Sequence, residues 1–146
     1  MLDRLFVTPA VMAVTEALRS AVASEGKLAV VGNAKLASAL SKPRDVVAVG
    51  LSARAAKKHP TALPDLSSIQ AGELAGVIGV DVATRDDWEA MLRDWSRVVR
   101  DGGALVLVDR GHAAEASRRA LCAGLTELEQ RRAGRLVITS GLVTHL

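Results

Sequence analysis

Four short apolar runs recur along this chain without the polar alternation of a half-solvated strand. They are Leu28-Ala29-Val30-Val31, Val46-Val47-Ala48-Val49 behind Asp45, Gly76-Val77-Ile78-Gly79-Val80-Asp81-Val82, and Ala104-Leu105-Val106-Leu107-Val108. Runs of this kind need cover on both faces, the environment inside a parallel sheet. Parallel neighbours need long crossovers, and segments of helical period fill the intervals between the runs. The pattern predicts a three-layer α/β sandwich around a mostly parallel sheet.

The flanking signals place the other elements. Thr8-Pro9 has the form of a helix start, followed by Val11, Val14, Leu18 and Val22 at helical spacing, with Gly26 as the stop. Residues 1–26 therefore form an N-terminal helical extension. Asn33 is placed to cap a helix whose inner face carries Leu36 and Leu40 and which ends before Pro43. A short basic helix follows from Ala53 to Lys58. Between His59 and Ala71, Pro60 and Pro64 break all regularity, and Leu66 to Ile69 leaves room only for a reduced third strand. Thr84 and Asp87 form an acidic variant of the capping box. The helix they open aligns Trp88, Met91, Leu92, Trp95, Val98 and Val99, and Gly102-Gly103 ends it. A helix from His112 to Ala123 ends at Gly124. Thr126 to Arg131 and Leu136 to Leu146, joined at Ala133-Gly134, predict an antiparallel C-terminal hairpin. With no repeat, linker or low-complexity tract, residues 1–146 read as a single domain.

Composition narrows the class. At 49% hydrophobic, a chain of 146 residues can bury a real core. No apolar run approaches the ~20 residues of a membrane span, and Met1 to Phe6 lack the apolar core of a secretory signal. The single cysteine, Cys122, excludes an internal disulfide and a cysteine-based zinc site. These features predict a cytoplasmic protein. Charge is uneven: residues 27–58 hold seven basic residues against one acid, Asp45, and Arg131, Arg132 and Arg135 form a second cluster. Either stretch is a solvated face or an anion-attracting one. Phe6, Trp88 and Trp95 form no stacking platform, so a nucleic-acid role rests on charge alone.

The segment Arg97-Val98-Val99-Arg100-Asp101-Gly102-Gly103-Ala104-Leu105-Val106-Leu107-Val108-Asp109 resembles the helix, double-glycine turn and strand found late in class I S-adenosylmethionine (SAM)-dependent methyltransferases. Asp101 stands where that family usually has proline. Val46-Val47-Ala48-Val49-Gly50-Leu51-Ser52 is similar to its second strand and ribose-binding end. Ala123-Gly124-Leu125-Thr126 through Gly134-Arg135-Leu136-Val137-Ile138-Thr139-Ser140-Gly141 is similar to its final helix end and hairpin. The resemblance runs from Leu28 to the C-terminus and implies that family's Rossmann-like fold, whose seven-stranded sheet ends in an antiparallel hairpin.

Departures from the family fall on the cofactor contacts. Its first loop carries an acid two positions before a glycine, then further glycines. Here Gly32 matches the first glycine, Val30 occupies the acidic position, and Ala34 and Leu36 occupy the later glycine positions. Leu36 is expected to crowd a ligand there. Where the family places the acid that accepts both ribose hydroxyls, this chain has Gly50. Losing such a charge-assisted pair removes a few kcal/mol, on the order of two ordinary hydrogen bonds. If SAM is bound, the resemblance implies contacts from Gly32, Asn33, Gly50, Leu51 and Asp81.

Individual side chains leave alternatives open. Asp81, at a strand end facing the usual ligand crevice, is a general base or a loop cap. Asn33 and Lys35 form an anion site at a helix start, or a cap beside a solvated lysine. His112 is placed to reach the crevice or is an ordinary loop histidine, like His59 and His145. Trp88 and Trp95 read as core, and Cys122 as a packed small hydrophobe. Ser52 has no histidine–acid partners, so nucleophilic catalysis has no support.

Three functions follow. The first is a non-catalytic methyltransferase-like domain with a degenerate SAM site and no cofactor, serving protein interaction or homo-oligomerisation. The second is a divergent SAM-dependent methyltransferase, with Asp81 the residue to test. The third is a nucleic-acid or polyanion module that uses the basic stretches and predicts steeply salt-dependent binding.

Overall fold

In the computed structural model, which describes residues 2–20, 25–42 and 44–145, the four apolar runs become strands β1 (Leu28–Val31), β2 (Val46–Val49), β3 (Leu74–Val80) and β4 (Val99–Asp109). The terminal hairpin supplies β5 (Thr126–Ala133) and β6 (Leu136–Leu142). All six lie in one sheet of order β2-β1-β3-β4-β6-β5. The first four pair in parallel, and β6 lies antiparallel between β4 and β5.

Helices cover both faces, because alternate residues of each buried strand point to opposite sides. Leu28, Val30, Ala48, Ile78, Val106 and Ile138 pack on one side with α1 (Leu2–Ser20) and α2 (Ala34–Leu40). Ala29, Val47, Val77, Leu105 and Leu107 pack on the other with α4 (Trp88–Val98) and α5 (Ala113–Cys122). The short α3 (Ala53–Ala56) buries no residue. The three-layer sandwich expected from the sequence is therefore present.

Several boundaries differ from the sequence reading, each for a local reason. The first helix starts at Leu2 and passes through Pro9. Its buried face, Ala10, Val14, Ala17 and Leu18, packs against the sheet and outweighs the backbone hydrogen bond that proline removes. The proposed position of Val22 lies outside the described residues. Likewise, the expected box at the start of α4 does not form. Both oxygens of Asp87 are taken by Arg85 at 2.9 Å, the Thr84 hydroxyl turns to the Asp81 carbonyl, and the helix begins at Trp88 without a side-chain cap.

Gly102-Gly103 does not end α4. The helix stops at Val98 and the chain enters β4 directly, with Val99 already extended. Opposite Leu74–Gly76 the strand bulges: Leu74 pairs with Val99, whereas Gly76 pairs with Ala104. Within this bulge a Cβ on Gly103 would lie 2.5 Å from the Ala75 carbonyl oxygen, so only glycine fits. The chain after β6 clamps the bulge. Gly102 N–H donates to the Val143 carbonyl, Val143 N–H to the Gly103 carbonyl, and His145 N–H to the Asp101 carboxylate, each at 2.8 Å.

The third strand is reduced further than expected, to one parallel bridge between Val49 and Leu63. Residues 66–69 form no strand. Leu66 and Ile69 are buried under α4, and their carbonyls accept from the Arg97 guanidinium at 3.2 and 3.1 Å instead of from a sheet neighbour.

Candidate functional site

Beyond the C-terminal ends of β1 and β2 lies a crevice of about 450 Å³, the position where open α/β sheets bind ligands. Gly32 follows β1 and Gly50 follows β2, and both line it. Across from them stand Pro64, Asp65 and Leu66 of the segment replacing the third strand. The remaining wall comes from Arg85, Asp87 and the α4 residues Met91, Asp94 and Trp95.

Both glycines adopt a positive φ as the chain leaves its strand. Gly50 has φ of +66° and donates its N–H to the Leu63 carbonyl at 2.9 Å, which continues the β2 edge into the single bridge. A Cβ there would meet nothing closer than 3.7 Å, so the position is constrained by backbone conformation and not by space. Gly32 N–H donates to the Val49 carbonyl, which ties the two loops together.

Carboxylates do line the crevice, but each is engaged. Asp65 accepts from the hydroxyl of Ser67 and then from its backbone N–H, which hold its pKa below the usual carboxylate value. Asp87 is held low chiefly by the Arg85 guanidinium. Asp94 pairs with Arg97 at 3.0 Å. None lies at the end of β2, where a ribose-binding acid would stand.

The other residues singled out in the sequence are placed elsewhere. The Asn33 side chain accepts from Leu36 N–H at 2.9 Å and caps α2. Leu51 packs against the α1–α2 core. Asp81 adopts φ of +59°, and its carboxylate pairs with Arg110 at 3.2 Å. Val30 is fully buried. So is Leu36, and that corrects the expected steric conflict: α2 turns this leucine into the core, away from the crevice. Trp95 is buried and also forms part of the crevice wall, whereas Trp88 lies under Arg118 and Arg119, 5.4 and 5.1 Å from the ring centre. Cys122 is exposed, not packed. His112 is exposed and left-handed at the start of α5, and the His145 ring contacts the Val99 carbonyl.

Two features escaped sequence reasoning. Asp109 is 1% exposed; one oxygen accepts from Ala83 N–H at 2.9 Å, and the other has no hydrogen-bond partner. Burial pushes its pKa up, and the nearby Asp81 charge adds to the rise. Its placement on the last residue of an apolar strand was the available signal. Arg119 donates to the carbonyls of Val82 and Arg85 at 2.8 and 2.7 Å while pairing with Glu115. It thereby pins the loop leading into α4. Among the described residues no cluster of histidine, cysteine and acid could hold a metal, and no helix is long and apolar enough to cross a membrane.

No protein-family profile and no curated protein matches this sequence. Solved structures match its fold. A Haloferax volcanii methyltransferase in complex with the Trm112 methyltransferase activator superposes with a TM-score of 0.74 at 13% identity, covering 91% of this chain and 89% of that one. A SAM-dependent methyltransferase from Thermotoga maritima gives 0.72 at 14% identity over 97% and 93%. A T. thermophilus 16S rRNA methyltransferase, solved with AdoMet and guanosine, gives 0.64 at 18% identity over 91% of this chain and 39% of that one. The fold is that of the class I SAM-dependent methyltransferases: mostly parallel, with an antiparallel C-terminal hairpin.

Proposed function

We propose that this chain is a non-catalytic methyltransferase-like domain that binds a protein partner or a second copy of itself, with its SAM site degenerate. The observation that carries this reading is Gly50 at the end of β2. The acid is gone, the backbone N–H is committed to Leu63, and the carboxylates across the crevice are each engaged by their own neighbours. A ribose placed there would lose a charge-assisted pair worth a few kcal/mol, hence several factors of ten in affinity. That the Haloferax volcanii neighbour forms a complex with an activator protein supports a partner-binding role for so similar a frame.

One observation favours a second reading, a divergent SAM-dependent methyltransferase. The crevice is open, and Leu36 does not obstruct it. The T. thermophilus neighbour holds AdoMet. In that case main-chain groups around Gly32, Gly50 and Leu51 would carry the cofactor, through atoms other than the two glycine N–H groups, which donate within the fold. Asp81 would be tested for catalysis by Asp81→Ala.

Thermal unfolding with SAM or with its demethylated product, S-adenosylhomocysteine, separates the two. A ligand at 100 times its Kd stabilises the native state by about 2.7 kcal/mol. The first reading predicts no change in Tm up to millimolar ligand, together with a molecular mass by light scattering that exceeds the monomer or rises on adding the partner. A rise of several degrees at micromolar ligand would overturn it in favour of the second.

A further inference from the structure

Two residues further along both crevice loops, at Ala34 and Ser52, the surface opens into a second and larger groove of about 610 Å³ between α2 and α3. It gathers much of the basic stretch that the sequence left undecided. Lys35 and Lys42 lie along one wall, and Arg54 and Lys58 along the other, with His59 at the end. Among the described residues no carboxylate lines it. Lys42, Arg54 and Lys58 form no ion pair among the described residues, and neither do Arg93, Arg132 and Arg135 outside the groove, so it is the grouping of cations along one trough that sets this surface apart.

We propose that this groove is a nucleic-acid site that holds the sugar–phosphate backbone of a duplex. Concentrated positive charge at an open concave surface raises the local concentration of a polyanion, and each phosphate neutralised releases counterions. Among the described residues the remaining lining is alanine and serine; the His59 ring at one end is a single flat face and not a row on which successive bases could stack, so recognition falls on the backbone. A compact phosphorylated metabolite fits less well, because small-ligand sites enclose their ligand with converging buried polar groups. Here Lys42, Arg54 and Lys58 are all exposed around an open trough. An anionic membrane fits less well too, since among the described residues no large apolar side chain lines the groove. The Arg131, Arg132 and Arg135 cluster lies on the hairpin at the opposite edge of the sheet, so the two basic regions do not form one surface. The site stands whether or not the neighbouring crevice binds a cofactor.

The test is fluorescence anisotropy of the full chain with labelled RNA and DNA duplexes of mixed sequence across a salt series. Both duplexes are expected to bind, with the binding constant falling steeply as salt rises. The triple variant Lys42→Ser, Arg54→Ser, Lys58→Ser should lose at least about tenfold in affinity at low salt, and its log–log salt slope should shrink by roughly 2 to 3. Arg131→Ser with Arg132→Ser and Arg135→Ser should leave both quantities unchanged. All six substitutions are on the surface or at its margin, and circular dichroism checks that the fold is kept. The proposal is overturned by absence of duplex binding, by equal binding of the groove variant, or by polyglutamate displacing the duplex at lower charge concentration than a competing duplex does. That last result would assign the groove to an acidic protein.

Discussion

Gly79 lacks a side chain because Trp95 occupies its place: a Cβ there would lie 2.4 Å from two atoms of the indole ring. Gly79→Ala should therefore displace the indole that forms part of the crevice wall. It is expected to cost about 1–3 kcal/mol in urea unfolding, with a shifted tryptophan emission; an unchanged midpoint and spectrum would contradict that packing. Two carboxylates set opposite pH dependences. Glu115 is held at about 2, from 4.5, first by the Arg118 guanidinium and then by that of Arg119. A depressed pKa means stability present above pH 4.5 and lost as pH falls towards 2. Urea midpoints should fall across that window in the parent protein and less in Glu115→Gln. For Asp109 burial raises the pKa, so the folded state holds the proton longer than the unfolded one. Its contribution is complete below 3.8 and is lost as pH rises through the raised value. Asp109→Asn should flatten that loss and gain on the parent protein at neutral pH, measured by the same midpoints.

At the scale of elements, periodicity and burial made most of the fold legible. The runs at Leu28, Val46 and Gly76 became parallel strands because nothing in them favours water on either face, and Asn33 capped its helix as its residue type implies. What the sequence hid was decided by contacts from distant parts of the chain. Gly102-Gly103 has the local form of a helix stop, yet Val143 and His145 hold it as a strand bulge. Thr84 and Asp87 have the spacing of a capping box, yet Arg85 claims the carboxylate. The crevice was legible at Gly32 and Gly50. Asp65, Asp87 and Asp94 were not, because an irregular loop and a solvated helix face carry no periodic signal. Arg119 was equally silent, although it fastens the loop before α4 to α5 through two carbonyls. Arg119→Gln is expected to destabilise by about 2–3 kcal/mol, since charged-donor hydrogen bonds are the stronger kind. Hydrogen exchange should speed first at residues 82–88; uniform loss across the sheet would contradict this local role.

Among the described residues one sheet is shared by two cores, and we propose that the chain unfolds as a single unit. Urea unfolding should then give one transition by far-ultraviolet circular dichroism and by tryptophan emission, and separated transitions would contradict it. On this frame the crevice and the basic groove are chemically unlike. The crevice has engaged carboxylates and no acid after β2, while the described lining of the adjoining groove holds Lys35, Lys42, Arg54 and Lys58. The fold is that of the SAM-dependent methyltransferases, and the reading we propose is that this chain does not hold their cofactor. Titration calorimetry of the purified protein with SAM and with S-adenosylhomocysteine tests this most directly. The account predicts no heat of binding from either ligand up to millimolar concentration. Saturable micromolar binding of either one would contradict it and favour the reading as a divergent methyltransferase.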